Sequence, residues 1–539
     1  MSRTNKDRSD VLMNSSFLKK SAGLMTILML LSAALPMMAF AATATVFFKD
    51  LKFHENTVTG EVYVSKSVYE DVYQNKFLVD ITRSNGQTSV VDATYTVSDD
   101  TYAYYAFELS SVTGSTYVDV FAYQHSIDAG VTDDVYEYFS DTARVDETNS
   151  GGGGGSGSGG SNVSNISAGL LKSYFTSQTN VTMRISGQTA SIPASVLAEA
   201  AEKEGATLTI ENATGSYTLP LAALDFEQLA EELDAALGNM KILIQIQKVE
   251  GDDAKEVVNA AEAIGGTVIA SPVNFGLSAT ANNKTTEISD LGDIYAPRTI
   301  KAGTDVEDTS GFLYDPERER FSFIPTTTAD ETAELKSTTN SIYVLMSLDK
   351  SFSDVNGHWA QSYVEAMADR LIVEGYETGL FGPERSITRA EFATMIVRAL
   401  GLSGKTASPD FTDVASKDWY ANAVAVAAEA GIVEGYEDGS FRPNTVINRE
   451  ELAAMVVRAS AYAGTDVSVP ASRYDALLAS YPDNSGIVWA HAELASAIDT
   501  GIINGFEDGT LRARDTSTRA QASAMIQRFL EHADFINEE

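Results

Sequence analysis

The chain has 539 residues, and 75 acidic against 38 basic side chains give it a formal net charge of −37. That balance excludes a nucleic-acid binder, whose affinity rests on a basic footprint, and disfavours docking on anionic lipid. There is no cysteine, which rules out disulfides and thiolate metal sites, and the length calls for several domains rather than one core.

Residues 1–41 read as an export signal. Arg3, Lys6, Arg8, Lys19 and Lys20 precede an apolar run from Leu24 to Phe40, and Ala39-Phe40-Ala41 is a small-residue cleavage site. No later stretch is apolar enough to span a bilayer, so no membrane association is expected after cleavage.

Residues 42–149 are rich in β-branched and aromatic residues, as in Thr57–Val64 and Tyr117–Tyr123, with a hairpin turn at Ser84-Asn85-Gly86-Gln87. An N-terminal all-β, sandwich-like domain is expected there. Tyr102, Tyr104, Tyr105, Tyr117 and Tyr123 are expected to fill the sheet rather than form a binding face. The Gly/Ser tract inside 150–162 cannot bury a core and reads as a flexible linker.

Residues 163–350 mix helix signals (194–203, 226–237) with strand signals (241–249, 321–324, 342–345), which predicts an α+β module. Asp315-Pro316-Glu317-Arg318 reads as a turn.

The remainder repeats itself three times. Val373-Glu374-Gly375-Tyr376-Glu377-Thr378-Gly379 returns as Val433–Gly439 and again as Ile503–Gly509, in registers of 60 and 70 residues. A Trp stands 16 residues before the first Gly of each copy (Trp359, Trp419, Trp489), and an Arg 14 residues after it (Arg389, Arg449, Arg519). Each copy predicts two helices. The second opens on a capping box, Thr388 with Glu391, Asn448 with Glu451, and Thr518 with Gln521, followed by apolar residues at i, i+3, i+4 and i+7.

Capping accounts for the Thr and the Glu but not for the Arg. A cation in the first helical turn opposes the helix dipole by roughly 0.3–1 kcal/mol. Two explanations fit: an internal ion pair with a nearby carboxylate, or an anion receptor made of Arg and capped amides.

These units resemble S-layer homology repeats. The resemblance rests on Phe352-Ser353-Asp354-Val355, His358-Trp359-Ala360, the Gly-Tyr-x-x-Gly loop with Phe381 and Pro383, and Ile387-Thr388-Arg389-Ala390-Glu391. The second copy repeats them with Phe411-Thr412-Asp413-Val414, Phe441-Arg442-Pro443 and Ile447–Glu451. The resemblance implies repeats at 351–404, 409–464 and 472–532, forming an all-α pseudo-threefold trimer of helix–loop–helix units. It also implies binding to a pyruvylated secondary cell-wall polysaccharide on peptidoglycan.

The glycan-binding residues it implies are Arg389, Arg449 and Arg519, then Asp354, Asp413 and Asp483, and the loop glycines Gly375, Gly435 and Gly505. The tryptophans either line the groove or pack into the core, and core packing is the expectation. The third copy departs most, with Tyr481-Pro482-Asp483-Asn484 at its start and Gln521 in place of Glu, and its groove is expected to be the weakest.

No catalytic, metal or cofactor site is expected. The five His are scattered, and neither a phosphate-binding loop nor a Gly-x-Ser-x-Gly elbow is present. The expectation is a non-enzymatic, exported surface protein held in the cell wall or S-layer. It would display its β-domain outward, with other surface proteins as further partners. A lattice-forming subunit and a wall-anchored polysaccharide-acting enzyme are the alternatives.

Overall fold

Seven β-rich segments between residues 46 and 146 form strands, and the computed structural model describes these together with residues 163–538, apart from Ser186 and Pro409. The expected export signal, the 150–162 linker and the Ser84–Gln87 turn lie outside the described residues.

The seven strands are β1 (Val46–His54), β2 (Thr57–Ser65), β3 (Phe77–Arg83), β4 (Thr88–Ser98), β5 (Tyr102–Leu109), β6 (Tyr117–Gln124) and β7 (Ala143–Asp146). They hydrogen-bond in the order β1-β2-β5-β4-β3-β6-β7, every pair antiparallel. The path is continuous through β4, and its first strand approaches β6 and β7. Alternation places Val58 and Val62 of β2 and Tyr105 and Phe107 of β5 on one buried face, with Val62 directly opposite Tyr105.

From residue 163 two sheets pack face to face. The larger runs Arg320–Ile324, Ser310–Asp315, Ile342–Ser347, Val273–Ala281, Lys241–Lys248, Thr189–Pro193, Val163–Asn165, with Thr267–Val268 and Lys284–Glu287 added at its side. The smaller runs Thr326–Ala329, Thr332–Ser337, Ala296–Lys301, Gly215–Pro220, Thr207–Glu211, Asn180–Arg184. Helices α1 (Ala168–Ser177), α2 (Ala194–Ala201), α3 (Phe226–Glu232) and α4 (Gly251–Ala263) lie between strands in sequence.

Strand Ile342–Ser347 ties the larger sheet to the repeat region. Tyr343 and Leu345 face the smaller sheet, while Val344 and Met346 face the opposite way, into the core of the repeats. A period of two thus lets one strand serve two cores. Phe312, Tyr314 and Phe323 join Val344 there, and Val257 and Ala261 of α4 complete that face.

The repeat region adds α5 (Gln361–Asp369), α6 (Arg389–Ala399), α7 (Ala421–Glu429), α8 (Arg449–Tyr462), α9 (Tyr474–Leu478), α10 (His491–Asp499) and α11 (Arg519–His532). The second helix of each unit packs on the first helix of the next: α6 on α7, α8 on α10, and α11 back on α5. After each first helix the chain turns through a left-handed residue, Gly431 and Gly501 in the later units but Leu371 in the first. Leucine holds that conformation at a cost of roughly 1–2 kcal/mol.

At the centre the chain is extended rather than helical. Ile387 N donates to Ser517 O, Ser517 N to Ile447 O and Ile447 N to Ile387 O, each at 3.0 Å. Antiparallel bridges Ser386–Thr518, Thr388–Val446 and Asn448–Thr516 flank this closed ring. The expected all-α trimer is corrected accordingly: three bridged β segments join the helices, and the core runs on into the nine-stranded sheet. Backbone amides left over where loops meet helices are satisfied by pairing across units.

The tail after α11 returns to the smaller sheet. Thr326 N donates to Phe535 O at 2.7 Å, Lys336 Nζ to Asp534 O at 3.0 Å, and Asn537 makes two 2.8 Å bonds with the backbone of Thr328. No helix among the described residues is long and apolar enough to cross a membrane.

Candidate functional site

All three capping boxes form. Thr388, Asn448 and Thr518 accept from the amides of Glu391, Glu451 and Gln521, whose side chains return to the N-cap amides. The remaining first-turn amides are also occupied, because Arg389 N donates to Thr445 O and Ala390 N to Pro443 O, with the same pattern in the other units. The helix N-termini therefore offer no spare donors to an anion.

The three arginines cross unit boundaries. Arg389 Nε donates to Phe441 O at 3.1 Å and Nη2 to Glu434 O at 3.2 Å. Arg449 Nη2 donates to Asn504 O at 2.5 Å. Arg519 Nε donates to Phe381 O at 3.0 Å and Nη2 to Glu374 O at 2.7 Å. Each is only 7% exposed. Glu451 lies 3.6 Å from Arg389 Nη1 and Glu391 3.6 Å from Arg519 Nη1, which is the internal-ion-pair explanation of the repeated cation. Burial lowers the pKa of Arg519, and it lowers that of Arg449 to about 10, with Arg528 and Arg512 adding repulsion.

Each loop aromatic lies between two guanidinium groups. Arg519 and Arg385 stand 4.9 and 4.2 Å from the Tyr376 centroid, Arg389 and Arg442 5.1 and 3.9 Å from Tyr436, and Arg449 and Arg512 5.0 and 4.2 Å from Phe506.

The aspartates are loop clamps. Asp354 accepts from Phe381 N and Gly382 N at 2.9 and 2.7 Å, Asp413 from Phe441 N and Arg442 N at 2.7 and 2.8 Å, and Asp483 from Leu511 N and Arg512 N at 2.9 and 2.7 Å. Burial pushes the Asp354 and Asp483 carboxyls up, but the amide bonds outweigh it and hold both below the usual carboxylate value.

The loop glycines serve a close ring contact. A Cβ at Gly375, Gly435 or Gly505 would meet Phe352, Phe411 or Tyr481 at 2.6, 2.6 or 2.4 Å. The space expected for a glycan against that backbone is filled by the unit's own aromatic residue.

The tryptophans are the reverse of the expectation: Trp359, Trp419 and Trp489 are 56%, 66% and 48% exposed, each just before the first helix of its unit. Trp359 stands 6.4 Å from Tyr363, whose hydroxyl accepts from Arg528 of the last unit at 3.2 Å. A surface aromatic beside an arginine suits the apolar face and polar rim of a sugar. Arg398, Arg458 and Arg528 were not singled out by sequence reasoning, although they recur in the same register nine residues after the first arginine of each copy. Arg398 pairs with Glu374 at 3.0 Å and Arg458 with Glu434 at 3.4 Å.

The S-layer homology domain family model matches residues 351–393, 410–453 and 480–523. An amylopullulanase of Thermoanaerobacterium thermosulfurigenes is 34% identical over 236 residues, covering 43% of this chain and 12% of that protein. A cellulosome-anchoring protein of Acetivibrio thermocellus is 33% identical over 168 residues, 30% of this chain and 35% of that one. A surface layer protein of Brevibacillus choshinensis is 47% identical over 95 residues, 17% of this chain and 8% of that one. The chain thus spans about a third or less of these relatives' length. The amylopullulanase is an enzyme by name, as are other similar chains, and this overturns the expectation of a non-enzymatic protein. Residues 351–523 carry three S-layer homology domains, and the chain is a surface protein anchored at the cell wall.

Proposed function

We propose that the boundaries between the three units bind a pyruvylated secondary cell-wall polysaccharide, and that this attachment holds residues 42–149 outward on the 150–162 linker. The observation that carries the reading is the recurrence of an exposed tryptophan just before the first helix of every unit, in units whose loops are each stacked with arginine. Arg389, Arg449 and Arg519, with the aspartate clamps and loop glycines, act by shaping those loops. Direct contact falls to the tryptophans and the outer arginines. Full-length protein should pellet with purified wall sacculi, and removing the non-peptidoglycan polymer should abolish this. Undiminished pelleting on stripped sacculi rejects the reading.

A second reading draws on the enzyme names among the relatives: the anchor would hold a carbohydrate-acting activity at the wall. Release of reducing sugar from soluble polysaccharide by the purified chain tests it, and a flat time course across starch, xylan and cellulose derivatives counts against it.

A further inference from the structure

The three boundaries share a plan but differ in charge balance. Between the first and second units, Arg389 faces Glu451, Arg458 pairs with Glu434, and Arg442 with Asp438 at 3.0 Å. Three arginines meet three carboxylates. Between the third and first units, Arg519 faces Glu391 and Arg398 pairs with Glu374, leaving Arg385 stacked on Tyr376.

Between the second and third units two of the carboxylates are absent. Gln521 takes the place held by Glu391 and Glu451, and Asn504 that held by Glu374 and Glu434. Among the described residues, Arg449 and Arg528 have no carboxylate within ion-pair distance, and Asp508 pairs with Arg512 at 2.6 Å. Arg449, Arg512 and Arg528 here meet one ion-pairing carboxylate, Asp508, and Arg528 spends one donor on the Tyr363 hydroxyl of the first unit at 3.2 Å. The neighbouring Glu450 is buried and turned to the Val488 amide at 3.1 Å.

Two further observations point to a ligand rather than to simple charge imbalance. Arg449 is more than nine-tenths buried, and its Nε has no hydrogen-bond partner, whereas Arg389 and Arg519 both satisfy theirs on a loop carbonyl. A buried cation with an unsatisfied donor is poorly compensated, and an anion placed nearby offsets that cost through its charge. Gln521 spends its Oε1 on the Thr518 amide, so its NH2 stands as a donor where the other units present a carboxylate.

We propose that the boundary between the second and third units is the anion site of this chain, taking a single carboxylate of the wall polymer between Arg528, Arg512 and the Gln521 amide, in the field of Arg449. The proposal rests on the wall-polymer reading of the boundaries and reverses the expectation that the third copy has the weakest groove. Substitutions that look like decay at positions 504 and 521 remove the negative charges that elsewhere neutralise the arginines. Coulomb attraction at a partly desolvated site of this kind is large enough to choose among three otherwise similar grooves.

The test is calorimetric titration of the full chain with a 4,6-pyruvate-ketal methyl hexoside, alongside its uncharged methyl ester. The acid binds and the ester does not. Gln521→Glu with Asn504→Glu restores the residues of the first two units, keeps the melting temperature, and weakens the acid by about tenfold or more, the scale of one lost charge interaction. Equal binding of acid and ester, or unchanged affinity in the Gln521→Glu, Asn504→Glu variant, overturns the assignment. A wild-type chain that ignores the ketal but still pellets only with polymer-bearing sacculi overturns it too, and leaves the anchoring reading standing.

Discussion

Arg519, in the last unit, donates through Nη2 to the carbonyl of Glu374 in the first, at 2.7 Å, while the Glu374 carboxylate pairs with Arg398 at 3.0 Å. One residue thus receives a cation on its backbone from the far end of the region and another on its side chain from its own unit. This contact closes the cycle that Arg389 and Arg449 begin.

Closing it by a buried cation makes Arg519 a folding residue. Arg519→Ala leaves two loop carbonyls without their donor and the Glu391 carboxylate without its counter-charge, and is expected to destabilise by about 3 kcal/mol or more. Urea denaturation followed by tryptophan fluorescence measures it. A change below about 1 kcal/mol means that the loops are held by something else.

Trp419→Ala is expected to behave in the opposite way. With two thirds of its surface exposed, the side chain contributes within about 0.5 kcal/mol of stability. Sacculus pelleting should nonetheless fall several-fold, and retained pelleting would remove the tryptophans from the binding surface.

Gly435→Ala tests the ring contact. The new methyl would lie 2.6 Å from Phe411 Cε1 and 3.2 Å from Ser440 O, so the ring or the loop has to move, at a cost of about 1–3 kcal/mol. A thermal melt of the variant reports this directly, and an unchanged midpoint would show that Phe411 gives way freely.

Asp369 predicts a pH effect. Its carboxylate accepts from Lys350 N at 2.6 Å, and burial first, with Asp349 and Glu365 nearby, raises its pKa to about 6. A carboxyl with a raised folded value favours folding when protonated, so its contribution is full below about pH 4 and is lost as pH rises through about 6. Asp369→Asn keeps the acceptor without the charge. It should therefore raise the midpoint at pH 7.5 by a few degrees and leave it unchanged at pH 4; equal shifts at both values would rule out titration as the cause.

Much of this architecture was legible in the residues, and for physical reasons. Capping boxes and i, i+4 apolar spacing are local, so α6, α8 and α11 begin where the Thr, Asn and Thr signals put them. The role of the repeated arginine was left between two explanations because choosing requires knowing which unit faces it. A chain pattern cannot show that Arg389 meets a carbonyl 52 residues away. The tryptophans were misassigned to the core for a related reason: a large aromatic at a helix start fits a core until that side is seen to be exposed. The central ring of Ile387, Ile447 and Ser517 has no strand signature at all, since each segment gives only one residue to it.

The returning tail gives the anchor a mechanical property. Residues 348–351 lead from the sheets into the first unit, and Asp534, Phe535 and Asn537 lead back from the third unit onto Thr326, Thr328 and Lys336 of the same sheets. A pull on the sheets therefore reaches the repeat region along two routes in parallel, one covalent and one a row of hydrogen bonds. Force is shared by the first and last units instead of peeling the units off in sequence.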